Sequence, residues 1–233
     1  MEDRIHQGGY YDAGGVWSAE LDDEKRRMAE VVVSLGGTRV LELGCYTGAL
    51  LVAMAQRGLD VTGVELSRDA AGRADPSVRS RIVVGDVVDD LPPGPFDTVV
   101  GLDIFEHVTP VRLEALVAAV AERVAPGGHV LANIPAFGDD DVFGEVFPRY
   151  LPSWEADAAA GRPFAELDCD ELGYPRNGHL TWAQTSWWEA TFTAAGLMRD
   201  RDLERSVQAA HRAWWAANVP ARRSMYVFRR PLS

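Results

Sequence analysis

The sequence predicts an α/β fold in which a doubly wound, mostly parallel sheet is covered by helices on both faces. Short apolar runs alternate with helical segments up to residue 135, which is the pattern of β-α units around a parallel sheet. A glycine-rich turn, "GCYTG", directly follows the first run, and acidic residues end the second and third runs. Such turns and polar groups at successive strand ends are typical of α/β folds that bind a ligand there.

Composition and charge limit the functions of the chain. Its 233 residues, 47% of them hydrophobic, are enough for one sizeable core, so we expect a single domain over residues 1–233. The net charge of −12 opposes binding to nucleic acid, because DNA binding depends on neutralising phosphates. No apolar run is long enough for a membrane span, no signal-peptide pattern is present and there are only two cysteines, so we expect a cytoplasmic protein. The expected partner is a small-molecule acceptor, with no nucleic acid and no membrane; a homodimer stays open.

The predicted elements follow in order along the first 135 residues. Apolar residues at helical spacing predict a helix from Ser18 that is ended by the glycines at 36 and 37. Strands are predicted at "TRVLELG", "DVTGVELS", "SRIVVGD", "FDTVVGLD" and "HVLANIP". Helices are predicted between them at "TGALLVAMAQRG", near Arg68 to Arg73, and from Thr109-Pro110, which supply a cap residue and a first turn.

This alternation ends after residue 135. Residues 136–182 hold many aromatic residues, glycines and prolines without a sustained period, and irregular segments of this length are usually functional. We expect them to form an inserted substrate cap between a core at 37–135 and a C-terminal helix and hairpin at 183–233, with residues 1–36 as an N-terminal lid and helix. Ser186 and Glu189 fit a capping box for the next helix, and "LMRDRDLE" and "RRSMYVFRR" fit a sixth and a seventh strand.

The strand ends carry the candidate binding residues. Gly44 and Gly48 allow a tight turn and let a ligand approach the backbone, where N–H groups at the helix start point toward it. Glu65 ends the second strand and can accept both hydroxyls of a ribose, whereas Asp86 ends the third and can accept an adenine amine. Glu42 can orient the glycine loop or bind a cationic amino-acid group. Each acid alone also fits a helix cap or an exposed strand end, but acids at successive strand ends favour a nucleotide-like ligand.

The stretches "VLELGCYTG", "VTGVELS", "IVVGDVVDDLPPGPFDTVVGLDIFEHV" and "ERVAPGGHVLANIP" occur in this order between residues 38 and 135. In motif and spacing they resemble the class I S-adenosylmethionine-dependent methyltransferases. The pieces "FEHV" and "APGGHVL" are the most specific, since a generic nucleotide-binding fold does not require them. The resemblance implies a Rossmann-like sheet whose seventh strand, supplied by "SMYVFRR", is antiparallel. It also implies S-adenosyl-L-methionine as cofactor and S-adenosyl-L-homocysteine as product.

The resemblance further implies roles for individual residues. The glycine motif would hold the methionine part of the cofactor, one strand-end acid the ribose and the next the adenine. Asp103 and the backbone near Leu102 would form the floor of the active site, and Tyr10 and Tyr11 a lid. The expected cofactor contacts are Tyr11, Glu42, Gly44, Cys45, Gly48, Glu65, Leu66, Asp86, Val87, Leu102 and Asp103.

One position departs from the family pattern. Tyr46 stands where the glycine motif usually has its middle glycine. We expect a φ below zero there, because tyrosine tolerates that region, whereas a φ above zero would strain the loop. The ring is then expected to face the mouth of the active site or solvent.

Competing functions fit less well. A nicotinamide-dependent oxidoreductase shares the strand-turn-helix arrangement and the second-strand acid, but "GCYTGA" does not give the G-x-G-x-x-G fingerprint. A Tyr-x-x-x-Lys pair and a phosphate-loop Gly-Lys-Ser/Thr are both absent, because Lys25 is the only lysine. A base-modifying methyltransferase would carry Asn/Asp-Pro-Pro-aromatic where this chain has "LDIFEH". A cofactor-binding regulator without activity stays open.

Methyl transfer from a sulfonium is an in-line displacement that mainly requires alignment and exclusion of water. If the acceptor is an alcohol, a general base adds about 10²–10⁴ in rate. His107, in "FEHV", and His179, in "RNGHLTW", are the candidate bases, and Asp103 is the third catalytic candidate. His107 equally fits a structural role as a helix cap or a loop hydrogen-bonding group.

A divalent metal is a second option for activating the acceptor. The acidic run at 139–141 follows the fifth strand, Asp103, Glu106 and His107 are nearby candidates, and oxygen ligands suit Mg²⁺. Acidic runs are more often solvated loops. We therefore predict no metal ligands.

The cap and the C-terminal region suggest the acceptor. Aromatic residues in the cap fit a small core, and those that face the cleft suit sugar rings or aromatic natural products. Arg201, Arg205, Arg222 and Arg223 can hold a phosphate or carboxylate of the acceptor, or simply balance surface charge. We predict O-methylation of a sugar or secondary metabolite in natural product biosynthesis, with N-methylation of an amino sugar or small amine as the alternative.

Overall fold

The computed structural model describes residues 19–218 and 224–232. Its main sheet consists of β1 (Arg39–Leu43), β2 (Asp60–Glu65), β3 (Ile82–Val84), β4 (Phe96–Leu102), β5 (Val124–Asn133), β8 (Met198–Arg199) and β9 (Met225–Arg229), and a separate hairpin consists of β6 (Asp139–Asp140) and β7 (Gly144–Glu145). The strand order is β3-β2-β1-β4-β5-β9-β8. Neighbours among the first five strands are parallel, and β9 is antiparallel to both β5 and β8. The predicted mostly parallel sheet with an antiparallel last strand is confirmed.

The helices lie between these strands and after them. They are α1 (Asp23–Ser34), α2 (Ala49–Ala55), α3 (Arg68–Gly72), α4 (Pro110–Arg123), α5 (Trp154–Ala159), α6 (Thr185–Ala194), α7 (Arg201–Ala210) and α8 (Arg212–Asn218), with 3₁₀ turns at Arg79–Arg81, Phe105–His107 and Arg176–Gly178. None of the helices within residues 19–218 and 224–232 combines the length and the apolar composition that a membrane span requires.

Two apolar layers cover the sheet, one on each face. Val40 packs into a cluster with Met28 of α1, whereas Leu41 packs into a second cluster with Leu116 of α4 and Phe192 of α6. Adjacent residues of a strand point to opposite faces, so a strand that is buried on both sides must be apolar throughout. This explains why β1 is buried over its whole length after its first residue.

Parallel register brings the functional strand ends to one edge of the sheet. Leu43 pairs with Val64 and with Gly101, and Leu102 pairs with Asn133. The turns that follow β1, β2, β4 and β5 therefore emerge side by side. The candidate residues Gly44, Glu65 and Asp103 therefore lie along this edge, and so does Asp86, because it follows β3, whose last residue Val84 pairs with Glu65.

Two local predictions are wrong. Gln184 is the cap residue of α6, so Ser186 lies within the first turn and no capping box forms. Glu189 instead accepts a hydrogen bond from Arg201 (Nη2 to Oε2, 2.6 Å). The predicted sixth strand shrinks to β8, because the Asp200 carboxylate accepts a hydrogen bond from the N–H of Leu203 (3.0 Å) and starts α7.

The cap segment has a small aromatic core of its own. The ring of Phe137 lies at the centre of it, 4.8 Å from the ring of Trp154 and 5.0 Å from that of Trp182, measured between centroids. Phe164 completes this core and stacks on Trp154. These four aromatic side chains are buried against one another, as expected for the majority of the cap aromatics.

Candidate functional site

The turn between β1 and α2 depends on glycine at the first and last positions of the "GCYTG" motif. Gly44 and Gly48 have φ values of 63° and 70°, in the left-handed region that disfavours side chains. A Cβ at position 44 would also meet the terminal methyl group of Ile104, which follows β4, although that flexible side chain could shift. The left-handed backbone is therefore the main reason for the first glycine, and the missing side chain keeps the backbone open to a ligand.

Tyr46 adopts the left-handed conformation as well, with φ 50°, so the expectation of a negative φ is wrong. The turn is tight, because the N–H of Gly48 donates to the carbonyl of Cys45 over 2.7 Å. The N–H of Tyr46 itself donates to Glu65 Oε2 over 2.7 Å. These two hydrogen bonds require the glycine-like backbone even though a tyrosine occupies the position.

Glu65 is fixed by the main chain on both sides. Its Oε2 accepts from Tyr46, and its Oε1 accepts from the N–H of Ser67 over 2.7 Å, while the residue is only 7% exposed. Each carboxylate oxygen has a second acceptor position. The oriented carboxylate therefore fits the pair of ribose hydroxyls for which the sequence predicted it.

Glu42 is a buried acid with an unused acceptor. Burial and, to a lesser extent, the negative charge of Glu65 raise its pKa well above the ordinary value, and Lys25 opposes this rise. Among residues 19–218 and 224–232, Glu42 Oε2 has no hydrogen-bond partner. A buried carboxylate oxygen of this kind fits the ammonium group of a bound amino-acid moiety, because such a cation would compensate its burial.

Part of the region that was predicted to bind adenine is formed by residues that the protein orients. Asp86 accepts from the N–H of Val88 (2.8 Å) through Oδ1 and from Arg112 (3.0 Å) through Oδ2, so its carboxylate is oriented by the protein. Leu66 is 38% exposed next to the ribose-side acid and offers an apolar surface to a flat ring. Val87 is only partly buried and packs on the core.

Cys45 contributes backbone rather than sulfur to the turn. A Cβ on Gly63 would lie 2.5 Å from its Sγ, so the thiol points into the packing between β1 and β2. Burial, followed by the charges of Glu42 and Glu65, raises the pKa of this thiol. Leu102 packs partly buried against the same apolar layer. Asp103, which directly follows β4, is buried, and the side-chain amide of Asn133 donates a hydrogen bond to its carboxylate.

Beyond β4, Glu106, His107 and His179 meet. One ligand atom from each of these side chains lies within 4.8 Å of the other two. His179 Nε2 is 3.9 Å from Glu106 Oε1, and the two imidazole rings are 5.1 Å apart between centroids at 87°. The sequence named both histidines as separate bases and Glu106 only as a neighbour of a magnesium site. Their spatial association across more than 70 residues is a finding of the structure.

The two segments that carry these side chains are joined by hydrogen bonds. The N–H groups of Leu180 and Thr181 donate to the carbonyl of Glu106 over 2.7 and 3.0 Å. His107 Nδ1 lies 3.1 Å from the carbonyl of Gly178; since a carbonyl only accepts, Nδ1 carries the proton and Nε2 keeps its lone pair. Burial lowers the pKa of His107 to about 4, which keeps the imidazole neutral. A neutral imidazole whose second nitrogen bonds a carbonyl is the usual form of a metal-binding histidine.

The donor set defines which cations fit. Two imidazoles and one carboxylate suit borderline transition ions such as Zn²⁺ or Mn²⁺ better than Mg²⁺, which prefers oxygen ligands and water. The same set also fits a metal-free hydrogen-bonded Glu-His pair that acts as a general base. Both possibilities use the side chains at the edge where β4 ends.

The acidic run after β5 takes part in ion pairs with arginines. Arg199 lies buried between Asp140 (Nη1 to Oδ2, 2.8 Å) and Glu204 (Nη2 to Oε2, 2.9 Å). Arg201 pairs with Asp141 over 2.9 Å and also with Glu189. Asp140 and Asp141 are therefore engaged by arginines, which argues against a magnesium site at residues 139–141.

The other predicted site residues divide into two groups. Arg201 is engaged in the pairs above, and Arg205 pairs with Asp202 of its own helix over 3.4 Å, so both balance local acids. Tyr10, Tyr11, Arg222 and Arg223 lie outside the described residues.

Comparisons with known proteins agree with this architecture. The sequence profile of the "Methyltransferase domain" family matches residues 18–210. A protein named ubiquinone biosynthesis O-methyltransferase from Dechloromonas aromatica (strain RCB) is 37% identical over 109 residues, 43% of this chain and 46% of the relative. Another of that name from Burkholderia vietnamiensis (strain G4 / LMG 22486) is 37% identical over 137 residues, 54% of this chain and 58% of the relative. The chain spans about half the length of these relatives.

A solved structure gives the same fold along nearly the whole chain. The S-adenosylmethionine-bound CalS10, described as an amino pentose methyltransferase from Micromonospora echinaspora, matches with a TM-score of 0.58 at 22% identity. The match covers 97% of this chain and 96% of CalS10. At this identity the likeness shows the fold alone. Because the family profile covers most of its length, the chain belongs to the methyltransferase domain family, within the class I S-adenosylmethionine-dependent methyltransferases.

Proposed function

We propose that this chain transfers the methyl group of S-adenosylmethionine to a hydroxyl group of a small organic molecule, and that Glu106, His107 and His179 would hold a divalent cation that activates this hydroxyl. The observation that supports this most strongly is the meeting of these three ligand groups at the strand-end edge. In open α/β folds this edge is where ligands bind. The cofactor residues and the cation ligands therefore follow strands that end at the same edge of the sheet.

The cofactor is bound by groups that the fold has already oriented. Glu65 takes the ribose hydroxyls, because its two oxygens are held by main-chain N–H groups on their other side. Glu42 takes the ammonium of the methionine part, which compensates its buried charge. Asp86 and Leu66 take the adenine. This assignment gives Glu42, Glu65 and Asp86 each a hydrogen-bonding group of the cofactor.

The reaction is a displacement at the methyl carbon. The acceptor oxygen forms a bond to that carbon while the carbon–sulfur bond breaks, and the sulfur leaves as the neutral thioether of S-adenosylhomocysteine. The acceptor must lose its hydroxyl proton, which passes to solvent water before the methyl group is transferred, because His107 and His179 would be occupied as cation ligands. A divalent cation, when bound, lowers the pKa of a coordinated hydroxyl and so supplies the deprotonated nucleophile. The chain's own residues hold the reactants in line and exclude water.

The preference for oxygen over nitrogen follows from this chemistry. An amine reacts through its own lone pair and gains nothing from a cation, whereas a hydroxyl gains a lower pKa. The names of the two relatives above, both O-methyltransferases, support the same choice. Phenols and sugar hydroxyls are the acceptor classes that we favour, in keeping with a sugar or secondary metabolite.

A turnover assay tests this proposal. The protein is stripped with a chelator, reloaded with Zn²⁺, Mn²⁺ or Mg²⁺, and offered phenols, sugars and small amines; products are read by mass as the gain of one methyl group. We expect O-methylation that disappears on stripping and returns with Zn²⁺ or Mn²⁺, and a loss of at least ~100-fold in Glu106→Gln and His179→Ala, as for ligands of catalytic metals.

His129→Gln serves as the matched control, because this histidine belongs to β5 outside the cluster. It should keep the activity of the wild type. Undiminished O-methylation after complete removal of metal would contradict the role of the cation. His179 would then act as a general base. Methylation of amines alone would contradict the hydroxyl acceptor.

A further inference from the structure

The turn that follows β1 contains a strained tyrosine beside the ribose-side carboxylate. Tyr46 has φ 50°, a region that L-residues with side chains adopt only at a cost and that glycine adopts freely. Residues held in such conformations cluster at functional sites, where surrounding contacts over-determine them. The left-handed conformation of Tyr46 therefore indicates that neighbouring contacts stabilise this residue.

The contacts of Tyr46 and of the neighbouring helix α3 surround the carboxylate of Glu65. The main-chain N–H of Tyr46 holds one carboxylate oxygen, and the N–H of Ser67 holds the other. Ser67 also caps α3, since its Oγ accepts from the N–H of Ala70 over 3.1 Å. At the other end of α3, the Arg73 guanidinium lies over the ring of Tyr46, with Cζ 5.6 Å from the ring centroid.

The backbone of Arg73 is fixed by α3, and its side chain has an ion-pair partner on the same helix. Its N–H donates to the carbonyls of Asp69 and Ala70 at the end of α3, and its Nε is 3.2 Å from Asp69 Oδ2. A cation over the face of an aromatic ring is an attractive arrangement. The ring thus connects the turn after β1 to the end of α3, and the carboxylate of Glu65 lies between these two connected segments.

We propose that Tyr46 is a positioning residue for cofactor binding: its ring, anchored on Arg73, holds the left-handed turn whose N–H orients Glu65 toward the ribose hydroxyls. The inference rests on the proposed role of Glu65. An acid that is oriented before binding loses less freedom when the ligand arrives, so the contact increases affinity. The contact between the Tyr46 ring and Arg73 thereby offsets the strain of the left-handed backbone, a strain that glycine would not have.

A glycine substitution separates this role from a purely structural one. Tyr46→Gly removes both the strain and the anchor, so we expect a free energy of unfolding equal to or greater than that of the wild type. The same variant should bind S-adenosylhomocysteine at least tenfold more weakly by calorimetry. A residue that only stabilised the fold would lower stability and leave the affinity of the folded protein unchanged.

Further variants test the anchor. Tyr46→Phe keeps the ring and should bind within twofold of the wild type, whereas Arg73→Met should weaken binding about threefold or more. Tyr46→Gly with Arg73→Met should bind no more weakly than Tyr46→Gly alone, because both changes break one contact. Arg81→Met is the matched control, since Arg81 pairs with Asp60 at the opposite end of β2, and it should leave binding unchanged.

Two results overturn the inference. If Tyr46→Gly binds S-adenosylhomocysteine within twofold of the wild type, the ring has no positioning role. If the losses of affinity in Tyr46→Gly and Arg73→Met add in the double variant, the contact between the ring and Arg73 has no part in positioning Glu65. Wild-type protein that fails to bind S-adenosylhomocysteine at all would instead refute the cofactor role of Glu65, and this inference with it. The assay needs neither an acceptor nor a cation, so it is independent of both.

Discussion

The side-chain amide of Asn133 donates a hydrogen bond to the carboxylate of Asp103 over 2.5 Å, where the ends of β5 and β4 lie side by side. The same two residues are joined through the main chain, since the N–H of Asp103 donates to the carbonyl of Asn133 over 3.0 Å. Asp103 has φ 53° and is buried. Asn133 therefore fixes both the backbone and the carboxylate at the point where the chain turns toward Glu106 and His107.

Replacing Asn133 by leucine should lower both the free energy of unfolding and the methyltransferase activity. The buried Asp103 carboxylate loses a donor, which costs ~1–3 kcal/mol in the free energy of unfolding. Urea denaturation measures this loss. In a background of Asp103→Asn, which has no charge to stabilise, the same substitution should cost less than half as much; equal costs in the two backgrounds would show that the pair does not interact.

Arg199 should matter far more for stability than its neighbour Arg201. The side chain of Arg199 is 1% exposed between two buried acids, so Arg199→Met leaves Asp140 and Glu204 without their cation and should cost ~3–5 kcal/mol. Arg201 pairs with Asp141 and Glu189 at a partly exposed position, so Arg201→Met should cost under ~1 kcal/mol. Denaturant unfolding compares the two variants, and similar losses would refute the distinction between buried and exposed pairs.

The carboxylate of Asp97 should make the free energy of unfolding depend on pH in the acid range. The N–H groups of Arg39 and Thr38 bond its carboxylate and lower its pKa below the ordinary value. A lowered folded-state pKa contributes stability above the unfolded pKa of about 3.9, and this contribution is lost as the pH falls through the folded pKa. The advantage of the wild type over Asp97→Asn in free energy of unfolding should therefore shrink as the pH falls from about 6 to about 3. An advantage that is constant over this range would contradict the assignment.

Cation binding should be visible without any acceptor. A ligand that binds the folded state alone adds ~2.7 kcal/mol to its stability at 100 times the dissociation constant. Zn²⁺ at that excess should stabilise the wild type by this amount against urea, whereas His107→Ala and Glu106→Gln should gain little. Metal analysis after dialysis should find about one ion per wild-type chain. A gain that persists in both variants would locate the ion elsewhere.

The fold was predictable because its signals are local. Apolar runs such as β1, cap residues such as Thr109 with Pro110, and the glycine turn each specify a short segment. The sheet edge then follows from parallel topology, which brings the strand-end acids together without further information. Glu42 and Glu65 were predicted at this edge and lie there.

The contacts that the sequence could not specify join residues far apart along the chain. The φ of Tyr46 depends on a hydrogen bond to an acid 19 residues away, and a glycine motif alone does not reveal it. His107 and His179 meet because Leu180 and Thr181 hydrogen-bond to the main chain of Glu106, in the turn after β4. The adjacency of Glu106 to His107 in "FEHV" was the available signal for this cluster, but it lacked the third partner. Arg199 and Asp140, 59 residues apart, likewise gave no local pattern.

Titration calorimetry of S-adenosylhomocysteine with the wild type and with Glu65→Gln tests the central assignment most directly. Glutamine keeps the size of the side chain and removes one of the two acceptor oxygens, so the ribose hydroxyls lose a partner. We expect one site per wild-type chain and at least tenfold weaker binding in the variant, whose folded state is verified by circular dichroism. Wild-type protein that binds no S-adenosylhomocysteine, or a variant with unchanged affinity, would contradict the account.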